Sequence, residues 1–262
     1  MTPPAAPAAG GLSAGDRREL LKEAGALLQA PVRRRLLRGG LTLGGLAMLT
    51  GCDMTDTDPA QSLLMAVSRF NDRVQALLFD PRRLAPTYPE SMITRPFPFN
   101  AFYGLDKVPA VDASQFRLRV GGRVQQRRPW TLEQLAMLPQ VEQVTRHICV
   151  EGWSAIGRWG GVPFRHFLNL LGADLTSRFV GFRCADDYFE SIDMPTALHP
   201  QTILALTYDG RTLPPPYGFP MKLRMPTKLG YKNPKHIVEI FVTNDYPGGY
   251  WENQGYNWFG GS

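Results

Sequence analysis

The chain has 262 residues, 44% of them apolar and 20% charged, with 26 glycines, 23 prolines and a formal net charge of +6. That is apolar material for one or two domains, too turn-rich for a coiled coil or helical bundle, and without the three-residue glycine period of collagen. The charge does not mark a nucleic-acid binder, because +4 of it lies in residues 1–51 and the rest of the chain carries only +2.

Residues 31–53 read PVRRRLLRGGLTLGGLAMLTGCD, a basic cluster followed by a glycine-diluted apolar run and a cysteine. This is the layout of an export signal. The apolar run, about 13 residues, falls short of the roughly 20 that cross a bilayer as a helix. Arg33-Arg34-Arg35-Leu36-Leu37-Arg38 resembles the twin-arginine export motif, and Leu49-Thr50-Gly51-Cys52 resembles a lipobox. The second resemblance implies acylation of Cys52 and a stable membrane anchor; an ordinary cleaved signal with an incidental cysteine is the alternative. Asp53 after it implies, by resemblance to enteric lipoproteins, retention at the inner membrane of the periplasm. The expected organisation is an export signal over 1–52, a polar tether over 53–62 and a body over 63–262.

In the body, residues 70–78 have helical spacing, and Phe116-Arg117-Leu118-Arg119-Val120 alternates with the period of a strand. Thr131-Leu132-Glu133-Gln134 is a capping-box start to a short helix that Pro139 ends. A strand is predicted over 144–150. Pro163 then opens a helix with an apolar stripe of Phe164, Phe167, Leu168, Leu170 and Leu171 and an αL cap at Gly172. Further strands are predicted over 179–185, 203–208, 222–225 and 237–243, with Asp209-Gly210 as a hairpin turn. The sum is one mixed, strand-dominated α+β domain with short helices. Neither a Gly-x-Gly-x-x-Gly after a strand nor a Walker motif is present, so nucleotide binding in those forms is unsupported.

Beyond Cys52 there are two cysteines, Cys149 and Cys184, which in an exported protein read as a disulfide or as two buried thiols. Cys149 stands where a strand runs into a glycine-containing turn, a place that presents a side chain to a cleft. His147, His166, His199 and His236 are too far apart for local zinc-ligand spacing, and His166 reads as a surface or core-edge residue. Ser154 lacks the context of a hydrolase nucleophile elbow. Residues 214–235 concentrate Lys222, Arg224, Lys228, Lys232 and Lys235 among glycines and prolines. Such loops are either a solvated face or a seat for a small phosphate-bearing ligand.

RHICVEGWSAIGRWGGVP over 146–163, Ala197-Leu198-His199-Pro200, Leu213-Pro214-Pro215 and PTKLGYK over 226–232 together resemble the molybdopterin-dependent oxidoreductases of the sulfite oxidase fold. The likeness runs in order over about residues 100–243. It is greatest to the bacterial periplasmic branch that includes the catalytic subunit of protein-methionine-sulfoxide reductase. The resemblance implies that Cys149 is the single protein ligand to molybdenum, a soft thiolate suited to that metal. It implies cofactor contacts at Asn100, Tyr103 and Gly104 in the PFNAFYG stretch, at Cys184, Tyr217 and Lys222, and at Asn233-Pro234-Lys235. Gly104 stands where the branch has an acidic residue, Cys184 where it has threonine, Tyr217 where it has asparagine and Lys222 where it has arginine. Lys222 neutralises a phosphate as a point charge but cannot form a planar fork. There is no haem-binding Cys-x-x-Cys-His, so the electrons are expected to come from a partner, by resemblance a membrane cytochrome b. A cofactor inserted in the cytoplasm requires export of the folded protein, which is the twin-arginine task.

The expected reaction is oxygen-atom transfer, reducing an S- or N-oxide such as methionine sulfoxide, free or protein-bound. Sulfite oxidation is the alternative on the same fold. That dianion wants arginines converging on the site, with Arg146, Arg158 and Arg165 available, whereas Asp186, Asp187 and Glu190 at a cavity mouth would repel it. Tyr250, Trp251, Tyr256, Trp258 and Phe259 in the C-terminal stretch either cover the pocket, dock the partner or pack a core. A metal-free, lipid-tethered binding module with a Cys149–Cys184 disulfide is the rival from another class. A nucleic-acid binder using the 222–235 patch ranks last.

Overall fold

The structure, a computed structural model, describes residues 67, 70–72 and 74–262. The arginine motif, Cys52 and the 53–62 tether lie outside the described residues. The described residues up to Leu77 fall in one compact unit and Leu78–Ser262 in another. The predicted helix is present at the described residues 70–72 and 74–78. No helix among the described residues is long and apolar enough to cross a membrane.

From residue 78 on, the elements are β1 (Arg119–Gly122), α1 (Leu132–Ala136), β2 (Val141–Ile148), β3 (Ser154–Pro163), α2 (Phe164–Leu170), β4 (Phe179–Cys184), β5 (Phe189–Asp193), α3 (Met194–Ala197), β6 (Ile203–Tyr208), β7 (Arg211–Thr212), β8 (Lys222–Arg224) and β9 (Ile237–Thr243). One sheet has the order β1-β9-β4-β5, and only the β1–β9 pair is parallel. The other runs β2-β3-β6-β7, with β8 also on β6. The strand-dominated α+β reading therefore holds.

Local chemistry explains these elements. Thr131 and Gln134 form a reciprocal capping box that starts α1. Asp209 and Gly210, at φ 50° and 74°, make the two-residue turn between β6 and β7. Gly172, at φ 60°, ends α2 where its left-handed backbone lets the Ala173 amide reach the Leu168 carbonyl. Phe164, Phe167, Leu168 and Leu171 are fully buried, joined by Leu118, Val180, Phe182, Leu204, Leu223 and Ile240 in the main core. Leu170 departs from the expected stripe and is 41% exposed, because the helical period places it off the face shared by Phe164, Phe167, Leu168 and Leu171. A second, aromatic cluster packs Trp159 edge-on against Phe97 and Tyr208.

Two expectations are corrected. The strand expected over 144–150 ends at Ile148, so Cys149 begins the turn rather than closing the strand. The ten-residue β3, which pairs with both β2 and β6, was not predicted. Its glycines, poor strand formers alone, are required by close approach: a Cβ on Gly161 would overlap the Leu204 carbonyl and lie 2.7 Å from the Ala205 Cα. Gly161→Ala is therefore expected to lose at least about 1–3 kcal/mol, read as a lower urea midpoint at unchanged slope.

Candidate active site

A cavity of about 130 Å³ opens where the turn after β2, the loop before η-helical residues Leu105–Lys107, and the segments following β4 and β8 meet. Five of the expected site residues line it: Asn100, Cys149, Asn233, Pro234 and Lys235. So do Asp186, Trp251 and Tyr256, which the sequence offered as mouth or covering residues, and Phe102, Glu151, Tyr188 and Gly230, which it did not assign to the site.

Cys149 is held by its own turn. Its amide donates to the Trp153 carbonyl at 2.9 Å, and the Gly152 amide donates back to the Cys149 carbonyl at 3.2 Å. Gly152 has φ 91°, a backbone that favours glycine. The thiol is buried and donates to Glu151 Oε2 at 3.4 Å, an oxygen that also accepts from Trp153 Nε1 at 2.9 Å. Burial pushes the Cys149 thiol up. A soft metal would displace that proton and take the sulfur as thiolate. Cys149 and Cys184 are separate, buried thiols, which removes the disulfide of the binding-module alternative.

Around this turn lie basic side chains with no carboxylate at salt-bridge distance among the described residues, Asp186 acting on Lys235 only from farther off. Lys222 and Arg224, on β8, are buried, and Lys222 sits 5.0 Å from the centre of the Trp159 ring. Arg224 donates only to neutral oxygens, of Met225, Asn233, Thr145 and Arg146. Burial pushes Arg224 down to about 9, so it stays charged at neutral pH, and burial together with Lys235 and Arg224 pushes Lys222 well down. Lys235 donates to the carbonyls of Asn100 at 2.7 Å and Pro216 at 3.2 Å. His147 is fully buried, and neither ring nitrogen has a hydrogen-bond partner among the described residues. Burial, then the neighbouring Lys222, Arg224 and Lys235, keeps it neutral. His236 Nδ1–H donates to the Phe219 carbonyl at 2.7 Å, and its Nε2 is also without a partner among the described residues. Gly230 leaves the space in front of His147 open, since a Cβ there would come 2.7 Å from His147 Nε2.

Buried cations without counter-ions, orphaned imidazole nitrogens and a glycine-made recess are costly in isolation. Together they fit an anionic group bearing phosphate and ring acceptors. The basic 214–235 stretch is thus no solvated face. In cofactor-free protein, burial pushes the Lys235 ammonium down to about 8, with Asp186 opposing. Its unfolded value is about 10.4, so between the two the unfolded chain binds more protons and stability rises with pH. The Tm of the cofactor-free wild type minus that of Lys235→Met is expected to climb by a few degrees between about pH 7 and 10.

Other expected residues stand farther back. Tyr103 donates to Asp186 Oδ2 at 2.7 Å, and burial with that carboxylate pushes the phenol up. Cys184 and Lys222 are buried near the cavity without lining it, and Gly218, next to Tyr217, packs between the Cβ atoms of Lys222 and Lys235. Tyr217 itself donates to the Phe97 carbonyl at 3.0 Å. Gly104 is exposed and caps the short turn Leu105–Lys107. The three arginines do not converge. Arg146 stacks on Tyr88, Arg158 pairs with Glu90 and Asp209, and Arg165 donates to the Leu198 carbonyl. Glu190 is not at the mouth as expected but fully buried, bound to Lys232. The aromatic C-terminal stretch divides its work: Trp251 and Tyr256 line the cavity, whereas Trp258 and Phe259 pack inside. His166 is exposed.

A strand-rich fold carrying a cationic recess beside a buried thiol defines a cofactor-dependent oxidoreductase. The chain belongs to the oxidoreductase molybdopterin-binding domain family, whose sequence model matches residues 105–251. It is 66% identical over 250 residues, 95% of each chain, to a protein of Azospira oryzae provisionally named protein-methionine-sulfoxide reductase subunit YedZ1. The sulfane dehydrogenase SoxCD of Paracoccus pantotrophus shares the fold, with a TM-score of 0.50 and 18% identity over 53% of this chain and 40% of that one. The sulfite-oxidase-type reading of the fold and the assignment as a molybdopterin-binding oxidoreductase both stand.

Proposed function

We propose that the protein reduces an S- or N-oxide, with methionine sulfoxide the first candidate, at a molybdenum centre held by Cys149. The observation that carries the direction is the charge at the cavity. Glu151 and Asp186 line it against a single cation among the described lining residues, Lys235, which already donates to two carbonyls, and Arg146, Arg158 and Arg165 are engaged elsewhere. A neutral, dipolar oxide tolerates these carboxylates, whereas a sulfite dianion is repelled. The name of the Azospira relative supports the same direction.

The molybdenum cofactor, when bound, supplies two-electron oxygen-atom-transfer chemistry. Cys149 would hold the metal, Lys222 and Arg224 would neutralise dithiolene and phosphate charge, and Asn233 and Lys235 would hold the phosphate side. His147 and His236 would offer their unpartnered nitrogens to polar atoms of the pterin. Phe102, Trp251 and Tyr256 give the mouth an apolar wall against which the alkyl part of an oxide packs and bulk water is kept out.

The electrons would come from a partner subunit, for which a membrane cytochrome b is the proposal; the Azospira relative is itself named as a subunit. The location is proposed as the periplasm, reached by the twin-arginine route and anchored at the inner membrane through acylated Cys52. The support is the sequence over 33–38 and 49–52. Labelling with a radioactive fatty acid is expected to mark the wild type and not Cys52→Ser.

The test is the full chain made in a host competent for molybdenum cofactor synthesis. Oxidation of reduced viologen by methionine sulfoxide, dimethyl sulfoxide and trimethylamine N-oxide is compared with sulfite-dependent ferricyanide reduction. Near-stoichiometric molybdenum and pterin with oxide-driven turnover is the expected result. Turnover with sulfite alone would overturn the direction, and a chain lacking both metal and pterin would overturn the site.

A further inference from the structure

Behind the cavity wall lies a second cluster of ionisable side chains that cofactor binding does not use. Lys232 Nζ donates to Glu190 Oε1 and Glu252 Oε1, each at 2.6 Å, and to the Ser191 carbonyl at 2.9 Å. All three side chains are at most 2% exposed. Two carboxylates facing one ammonium would leave an uncompensated negative charge in a buried site, and taking up a proton is the cheaper state.

The hydrogen bonds say where that proton sits. Glu190 Oε1 is already occupied, accepting from Lys232 and from the Ser191 amide at 2.8 Å. Glu190 Oε2 lies 3.3 Å from the Tyr188 hydroxyl oxygen, which in turn lies 2.7 Å from the Tyr231 carbonyl. A carbonyl only accepts, so the single Tyr188 hydrogen is spent there. A hydrogen between Tyr188 and Glu190 must then come from Glu190 Oε2. Burial and the charge of Glu252 hold Glu190 well above the usual carboxylate range, against the pull of Lys232. The groups facing Glu190 are Tyr188 and Ser191 from its own strand, Lys232 from the turn Gly230–Lys232 and Glu252 from the turn Glu252–Gln254. Tyr188 lines the cavity and Glu190 does not, so Tyr188 is the residue that borders the cavity and also touches Glu190.

We propose that Glu190 stores a proton for the reaction and Tyr188 passes it into the cavity. The proposal rests on the reading of the site as an oxide reductase and names the proton donor for it. In that reaction the sulfur–oxygen bond of the sulfoxide breaks, two electrons arrive from the partner subunit or a reduced viologen, two protons are taken up, and a sulfide and one water leave. Tyr188 Oη–H turns away from the Tyr231 carbonyl to give one proton to the departing oxygen, and Glu190 Oε2–H restores it to Tyr188. Glu190 is left as a carboxylate beside Lys232 and Glu252, a state that draws a proton back from solvent before the next turnover. The second proton enters through the cavity mouth.

The test uses the cofactor-loaded full chain as wild type, Tyr188→Phe and Glu190→Gln. Molybdenum per chain, kcat and KM for methionine sulfoxide between about pH 6 and 9, and the solvent deuterium isotope effect on kcat are measured. Both variants are expected to keep the metal and KM and to lose about 10²-fold in kcat, with the wild-type decline at high pH gone. The infrared carbonyl stretch of a buried carboxylic acid is expected in wild type and Tyr188→Phe and absent from Glu190→Gln. Wild-type kcat and pH profile in both variants at full metal content would overturn the relay, as would a wild type without the infrared band. Should Glu190→Gln fail to fold, Tyr188→Phe, which removes one oxygen, carries the kinetic test. The band is read on the resting protein, so it judges the stored proton even if the wild type oxidises sulfite and reduces no oxide, the result that would sink the reductase reading instead.

Discussion

Cys149→Ser is expected to abolish oxide reduction, by more than the roughly 10- to 100-fold that follows loss of a group merely supporting a metal ligand. A hydroxyl is nearly the same size as a thiol but is a hard, poorly acidic donor, and at neutral pH it does not become the anion that a soft metal binds. Lys222, Arg224 and Lys235 are untouched by the change, so released pterin per chain is expected to stay near the wild-type level. The absorption bands of the metal centre are expected to shift. Retention of kcat within tenfold would show that the sulfur is not at the metal, and loss of pterin as well as activity would mean that the turn itself had collapsed.

Lys232→Met is expected to destabilise the domain by about 3–5 kcal/mol, out of the 5–15 kcal/mol typical of a whole domain. The methionine fills most of the lysine's volume, so the loss is electrostatic: the Glu252 carboxylate remains buried beside protonated Glu190 with no cation to offset its charge. Adding Glu252→Gln to Lys232→Met should restore part of the stability, because the uncompensated buried charge is then gone. Urea unfolding followed by tryptophan fluorescence reads both. A loss below about 1 kcal/mol for Lys232→Met would show that water reaches the cluster.

Much of this was legible in the sequence, for reasons that can be named. The Thr131–Gln134 capping box and the Pro163 helix with its Gly172 stop are local codes, and local interactions made those elements; the alternation from Phe116 to Val120 holds in burial, but the strand there is Arg119–Gly122 and its partner is distant. Cys149 was recognisable from its place at a strand exit and from the family resemblance, and Asn233-Pro234-Lys235 from the resemblance alone; both line the cavity. What stayed hidden depends on distant partners. β3 carries glycines that make sense only beside β6, whose backbone leaves no room for a side chain. Glu190 follows two aspartates and reads as surface; its partner Lys232 is 42 positions away and Glu252 lies in a stretch with no strand or helix signal. The basic 214–235 segment gave its charge but not its burial, since lysines with no acid nearby look solvated until the fold closes over them.

The parallel pairing of β1 with β9 sets the order of events during synthesis. Arg119 and Glu239, partners in that pair, are 120 positions apart, and Lys235 reaches back 135 positions to the Asn100 carbonyl. At the roughly 5–20 residues per second of translation, β1 waits on the order of ten seconds for its neighbour to leave the ribosome. Contacts of such long range pay their loop-closure entropy late, so the four-stranded sheet and the recess beside it form in one terminal step. A nascent chain stopped before residue 237 therefore has no seat for the cofactor, and loading belongs to the finished polypeptide.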